Sequence, residues 1–200
     1  FSKTWIHHGL ITVNEQKMSK SLKNFITLKE LSAKDSARIE HLKFLFLGTH
    51  YSAPLDYSEE KMEMTRAIRS RFILFLQKSE TYNSKPVSND TLKKLESDFN
   101  EAMNDDFNIP LAIAVMHELV DYAYASNESP LFVAAANLFA KMAGILGLSF
   151  SSSVDEELKL FIETQIKKRD EAKKNKNFAL ADEIRKNLLI NYGVSLMDSP

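Results

Sequence analysis

Apolar positions recur along most of the chain at three- and four-residue spacing, the period of a buried helix face. One segment breaks that rule. In residues 6–16, Leu10, Ile11, Thr12 and Val13 are apolar or β-branched, and Asn14-Glu15 can turn the chain back. This is the one clear strand candidate, and a loop from Gln16 to Asn24 follows it. From Thr27 the period is helical. Leu28 to Ala33 predicts a short helix, with Thr27 as N-cap and Glu30 three positions on as a capping box. Residues 36–48 place Ile39, Leu42, Leu45 and Phe46 on one face, with Gly48 as the stop. Ser58 caps a longer helix whose expected buried stripe is Met64, Ile68, Phe72, Phe75 and Leu76.

Residues 79–90 are polar and contain Pro86, which predicts a linker or exposed loop. Asn89 or Asp90 then starts a helix with Leu92, Leu95, Phe99 and Met103 on one face. Asn108 before Ile109-Pro110 is a favoured N-cap and first-turn arrangement, and the apolar helix it opens should be central. Ser129-Pro130 opens another helix that closes near Gly147, and Ser149 to Ser153 is a second linker candidate. Helices over roughly 154–173 and 178–191 end the chain, with Gly193 as the last stop. The expected fold is mainly α: a short α/β piece, a helical bundle and a small helical tail. Expected boundaries are 1–52, 53–150 and 151–200.

Composition narrows the chemistry. The 200 residues allow one large domain or two small ones. Cysteine is absent, which excludes disulfides and thiolate-bound zinc within this chain. No apolar stretch is long enough to cross a bilayer, and a cytoplasmic location is the expectation. The start, Phe1 to Trp5, has neither initiator Met nor signal pattern, so the chain is expected to begin inside a longer protein. A formal net charge of −1 leaves any nucleic-acid contact to local basic patches.

Lys17-Met18-Ser19-Lys20-Ser21 is the most informative segment. Two ammonium groups and two hydroxyls lie in five residues, after a strand and before helical structure. Such a loop brings positive charge, hydroxyls and successive backbone N–H groups to a polyphosphate. A plain reading also exists, since a surface loop of any protein can carry two lysines and two serines. In the tail, Lys167, Lys168, Arg169, Lys173, Lys174 and Lys176 form a basic run that ends at Phe178. Basic residues with an aromatic and nearby acceptors suit unpaired RNA. The plain readings are a solvated helix face with i,i+4 pairs, and Phe178 as core in line with Ala181, Ile184 and Leu188. Asp105-Asp106-Phe107-Asn108 reads as helix capping rather than a metal or acid–base site. His7 reads as a strand-end histidine, and no pair of metal-ligand spacing surrounds it.

The string KMSKS is the second signature of class I aminoacyl-tRNA synthetases. Trp5-x-His7-x-Gly9, Leu22-x-Asn24, His50-Tyr51 with Tyr57-Ser58, and Asp105-Asp106-Phe107-Asn108-x-Pro110 resemble the cysteinyl-tRNA synthetase family. So does the tail pattern Arg169-x3-Lys173-x4-Phe178-Ala179-x-Ala181-Asp182-x2-Arg185. The resemblance covers nearly the whole chain. It departs at Lys23, where the family commonly has glycine, and at Lys43 and Ser52, where arginine is usual.

The resemblance implies that the short α/β piece is the end of a Rossmann catalytic core and that the bundle is of the DALR type. It implies ATP-dependent activation of cysteine and transfer to tRNA(Cys), with Lys17, Met18, Ser19, Lys20 and Ser21 at ATP and Lys20 as the catalytic contact. It implies tRNA contacts at Lys173, Phe178, Asp182 and Asp198. The family's His-x-Gly-His loop and zinc ligands are outside this sequence, so zinc would be held elsewhere. The remainder of the catalytic domain is then an implied partner, and the isolated chain should not aminoacylate. Alternative readings are a ligase joining cysteine to an amino sugar, a non-enzymatic helical RNA-binding module, or a class I synthetase for methionine or arginine.

Overall fold

Short strands open the chain because β-branched and apolar residues are followed by a turn that only two residues need to make. The computed structural model describes residues 2–34, 38–126, 128–150, 156–192, 194 and 196. Strand β1, Ile11–Val13, pairs antiparallel with β2, Gln16–Lys17. Asn14 (φ 50°) and Glu15 (φ 64°) make the turn, both in the left-handed region. A third strand, β3, Leu55–Tyr57, runs parallel to β1 and gives the order β2-β1-β3. Residues 6–16 are therefore not the only strand segment. The sequence hides β3 because it is three residues long, has Asp56 at its centre, and is defined by pairing to a distant strand.

The chain divides into two compact units. The first takes residues 1–66 and 82–149, and the second 67–81 and 150–200. Within the first, helix α1, Leu28–Lys34, starts at the predicted capping box. The Thr27 N–H and hydroxyl both donate to Glu30 Oε2 (2.9 and 2.8 Å), and the Glu30 N–H donates to Thr27 Oγ1 (3.1 Å). Helix α2, Arg38–Leu47, buries His41, Leu42, Phe44 and Leu45. Phe46 was expected in that stripe but is 44% exposed, because Phe44 and Leu45 take the inward positions. Val13, Leu31, Leu42, Leu45, Leu55, Tyr57 and Met62 form the core beneath the strands, with Met18, Ile26 and Ile39 against it.

Helix α3, Glu59–Glu80, follows β3, and the Lys61 N–H donates to Ser58 Oγ (3.2 Å) as the sequence predicts. Arg38 links its start to α2, donating to Glu59 Oε2 (2.6 Å) and to the Tyr57 hydroxyl (3.1 Å). Glu59 chiefly, by its hydrogen bond, raises the pKa of that guanidinium. Met64 is 60% exposed, contrary to the expected stripe; Met62 is buried in its place. The stripe is out of phase there, because it begins facing the strands.

Helices α4, Asp90–Asn104, α5, Ile109–Ser126, and α6, Ser129–Ile145, pack together. Asn89 caps α4 by accepting the Leu92 N–H (3.0 Å), and Asn108 caps α5 by accepting the Leu111 N–H (3.2 Å). Their core holds Phe99, Ala112, Met116, Leu119, Val120, Ala123 and Phe139. Ala102, rather than Met103, completes the buried face of α4. The polar stretch before α4 lies against α6: the Val87 N–H donates to Pro130 O (3.2 Å), and Tyr82 meets Phe132 edge-on. Gly147 (φ 67°) ends α6, with Leu148 N–H bonded to Ala143 O (2.9 Å). This is a left-handed glycine stop.

In the second unit, α7, Glu156–Lys174, and α8, Phe178–Tyr192, form a helical hairpin. Ala172, Ala181, Ile184 and Leu188 are buried in it. The same stop geometry closes α7, with Lys176 (φ 57°) where glycine is usual. Gly193 and Ser151 to Ser153, expected as a stop and a linker, lie outside the described residues.

Candidate functional site

The five-residue lysine–serine segment begins on β2 and leaves it as a tight loop. Lys17 is exposed on the strand, and Met18 turns inward against the core cluster. Asn24 closes the loop from the far side. Its Oδ1 accepts the Ser19 N–H (2.8 Å), and its Nδ2 donates to Lys17 O (3.1 Å). Inside that closure Ser19 Oγ accepts the Leu22 N–H (3.2 Å) and lies 3.1 Å from Ser21 Oγ. Ser19 is thus engaged within the loop, while Lys20 and Ser21 face solvent. The Lys23 N–H donates to Lys20 O (3.2 Å), and Lys23 sits at φ 52°, in the region that favours glycine. That conformation accounts for glycine being common at this position in the resembling pattern.

A carboxylate on β3 holds the turn that precedes the loop. Asp56 Oδ1 accepts both the Thr12 hydroxyl (2.7 Å) and the Glu15 N–H (2.7 Å), and Oδ2 accepts Lys61 Nζ (3.0 Å). The Glu15 N–H most of all, then Thr12 and Lys61, push the Asp56 pKa down from 3.8 to about 2. A carboxylate whose folded pKa is depressed stabilises the fold above its unfolded pKa, and that contribution is lost as pH falls through the folded value. Chemical unfolding should therefore show the parent more stable than Asp56→Asn at pH 6, with the gap closing between about pH 4 and pH 2. A gap that stays constant across that window would contradict the assignment.

Two motifs noted separately in the sequence meet in the structure. Tyr51 Oη donates to Asp106 Oδ1 (2.7 Å), and His50 Nε2 lies 3.0 Å from the Asp106 carbonyl oxygen. His50 Nδ1 lies 2.7 Å from Ser52 Oγ, and the His50 and Tyr51 rings are 4.6 Å apart. The hydrogen bond to Asp106 chiefly, with burial, raises the Tyr51 pKa. Asp106 therefore does not cap a helix, as the sequence suggested; Asn108 alone of the four residues caps α5. The reason is backbone shape. Asp106 (φ 51°) and Phe107 (φ 53°) are both left-handed, which turns the Asp106 side chain away from the helix start and toward Tyr51. Nothing in the sequence pairs residues 55 positions apart.

In the second unit, Lys173 lies half-buried in the last turn of α7. Phe178 opens α8, with its backbone start capped by Asn177 Oδ1, which accepts the Leu180 N–H (3.2 Å). Phe178 is 62% exposed, so the reading of it as core is overturned; Ala181, Ile184 and Leu188 fill the stripe without it. Asp182, four residues on, is exposed on the same helix face. Arg169 was counted in the basic run but is only 6% exposed, and its Nη1 lies 3.9 Å from Asp170 Oδ1. Asp198 lies outside the described residues. The donor set does not fit a zinc ion: the chain has no cysteine, and among the described residues no cluster of three or more His, Asp or Glu could hold a metal. Nor is any helix among them long and apolar enough to cross a membrane.

Residues 1–67 match the family described as the tRNA synthetases class I (C) catalytic domain, and residues 98–151 match the DALR domain. The chain is 34% identical over 213 residues to the cysteine–tRNA ligase of Carboxydothermus hydrogenoformans, covering 100% of this chain and 45% of that protein. It is 36% identical over 211 residues to that of Rickettsia bellii, covering 100% and 42%. The corresponding figures for Gluconobacter oxydans are 36% over 206 residues, 100% and 42%. The chain thus spans less than half the length of these relatives. A solved LeuRS–tRNA–LeuAMS complex from Agrobacterium radiobacter shares the fold at a TM-score of 0.57 and 16% identity, over 68% of this chain and 20% of that one.

Proposed function

The chain belongs to the cysteine–tRNA ligase family of class I synthetases, and from that premise we propose that it supplies one wall of the ATP site and a tRNA-contacting tail to a cysteine-activating ligase. In the reaction the cysteine carboxylate attacks the α-phosphate of ATP. A new oxygen–phosphorus bond forms, the α–β bridging bond breaks, and pyrophosphate leaves. A ribose hydroxyl of the terminal adenosine of tRNA(Cys) then attacks the cysteinyl carbonyl; the ester bond forms, the carbonyl–phosphate bond breaks, and AMP and a proton leave. Positioning and charge stabilisation supply most of the rate in such phosphoryl transfers.

The observation that carries the reading is the Lys17–Ser21 loop, closed at its base by Asn24 and presenting Lys20 and Ser21 to solvent. Lys20 meets the charge that develops on departing pyrophosphate; a mobile point charge suits a group that must follow a leaving anion. Lys17 adds positive charge. Ser19 keeps the loop's shape, its N–H held by Asn24 and its hydroxyl by the Leu22 N–H, and Met18 seats the ATP segment by packing its side chain on the core. Ser21 adds a hydroxyl. Zinc ligands and the cysteine pocket are assigned to the remainder of the catalytic domain, and the ligase to the cytoplasm. The domain division follows as 1–52 for the end of the catalytic core, 53–150 for the bundle and 151–200 for the tail.

The tail reads RNA through Phe178, Lys173, Asp182 and Asp198. Exposure of Phe178 and Asp182 on one helix face supports this over a purely structural role. A stacked aromatic contributes about 1–3 kcal/mol per base. Phe178→Ala should therefore weaken tRNA(Cys) binding in a gel shift by about tenfold or more, with helicity unchanged. Binding equal to the parent would remove Phe178 from the interface. The overall reading is tested by aminoacylation: the intact ligase carrying this chain should charge tRNA(Cys) with cysteine, and the 200-residue chain alone should not. Charging by the chain alone would contradict the division of labour. Charging with an amino sugar in place of tRNA would favour the sugar-ligase alternative.

A further inference from the structure

The phosphate-facing loop is short of internal support on its upstream side. Strand β2 has two residues, and only Gln16 and Lys17 pair with β1. The turn that feeds them puts Asn14 and Glu15 at positive φ without a glycine. Left-handed backbone is unfavourable for a residue such as glutamate and persists when surrounding groups over-determine it. The group that does so here is on another strand. Asp56 lies opposite Thr12 in the parallel register, and its Oδ1 binds the Thr12 hydroxyl and the Glu15 N–H together. The Asn14 N–H donates to Tyr57 O (3.0 Å), so β3 holds both turn residues. Lys61 Nζ on Oδ2 keeps the carboxylate aimed at the turn.

We propose that Asp56 is a positioning residue for the Lys17–Ser21 loop, its carboxylate setting through Thr12 and Glu15 where the loop's lysines stand. The proposal rests on the reading of that loop as the ATP-phosphate segment. Three donors converge on Asp56: two on one oxygen, one cationic on the other. An amide keeps one acceptor oxygen for Thr12 and Glu15 and loses the partner for Lys61. Alanine keeps neither. The loop then retains its Asn24 closure and its pairing at Gln16 and Lys17 but loses the anchor that fixes the turn feeding it. The lysines are displaced, whereas the cysteine-binding part of the site is untouched.

Two measurements on the intact ligase test this. In cysteine-dependent ATP–pyrophosphate exchange, Asp56→Ala should lose kcat by about tenfold to 10²-fold, the scale of small misplacements at a reacting centre. KM for ATP should rise and KM for cysteine stay unchanged, and Asp56→Asn should recover most of kcat. Parental kcat and KM for ATP in Asp56→Ala, or an equal loss of cysteine affinity, would overturn the proposal. In limited proteolysis, trypsin should cut after Lys17 and Lys20 several-fold faster in Asp56→Ala, with cutting after Lys93 unchanged. No acceleration, or acceleration at all sites alike, would overturn it. A parent enzyme without cysteine-dependent exchange would instead sink the functional reading, and the trypsin result would still decide whether Asp56 holds the loop.

Discussion

Replacing Lys20 with alanine in the intact ligase is expected to lower cysteine-dependent ATP–pyrophosphate exchange by about 10²–10³-fold, the loss typical of removing one donor aimed at developing charge. The proposed function puts this loss at Lys20. It is exposed at the outer bend of the loop, and no carboxylate among the described residues pairs with its ammonium. Its neighbours are committed elsewhere: Met18 to the core, Ser19 to the Leu22 N–H and the Ser21 hydroxyl. The effect should appear in kcat more than in KM for ATP, because the charge it meets grows as the bond breaks. Lys93→Ala, on the outer face of α4, should leave the rate unchanged. A Lys20→Ala enzyme within about threefold of the parent would assign the charge to another residue.

The second large effect is structural and comes from Gly9→Ala. The Gly9 N–H donates to Tyr51 O (2.9 Å), and the Leu55 N–H donates to Leu10 O (2.9 Å), so the chain ahead of β1 lies tight against the chain ahead of β3. A Cβ on Gly9 would fall inside the backbone of Ala53, against its carbonyl oxygen and carbon and the nitrogen of Pro54. Backbone cannot turn aside as a flexible side chain can, so the two segments must separate. Overpacking and loss of the parallel pairing should together cost about 3 kcal/mol or more. For a chain of this size that is a fall in Tm of roughly 10 °C. Amide exchange should accelerate first at Leu55 and Asn14, whose N–H groups bond across the pair of segments. An unchanged Tm would show that the segments tolerate separation.

The sequence was informative wherever the determinant is local. The Thr27–Glu30 capping box, the Ser58, Asn89 and Asn108 caps and the Asn14-Glu15 turn all stand where spacing put them, because each rests on residues within a few positions of one another. The lysine–serine string was legible for the same reason. The anchor proposed for it was not. Asp56 lies 41 positions from Glu15, and its strand is too short and too charged to announce itself. The meeting of His50-Tyr51 with Asp106 is equally non-local, and it reassigned Asp106 from a cap to a hydrogen-bond acceptor. The helix stripes failed at Phe46 and Met64, where a 3.6-residue period leaves nearby residues competing for the inward place. Phe178 fitted both a stripe and a stacking surface, and only its exposure separates them.

The measurement that tests the central claim most directly is ATP–pyrophosphate exchange by the intact ligase carrying this chain, run with each amino acid in turn. Exchange that depends on cysteine and collapses with Lys20→Ala is the predicted result. Exchange driven by another amino acid, or cysteine-dependent exchange indifferent to Lys20, would contradict it.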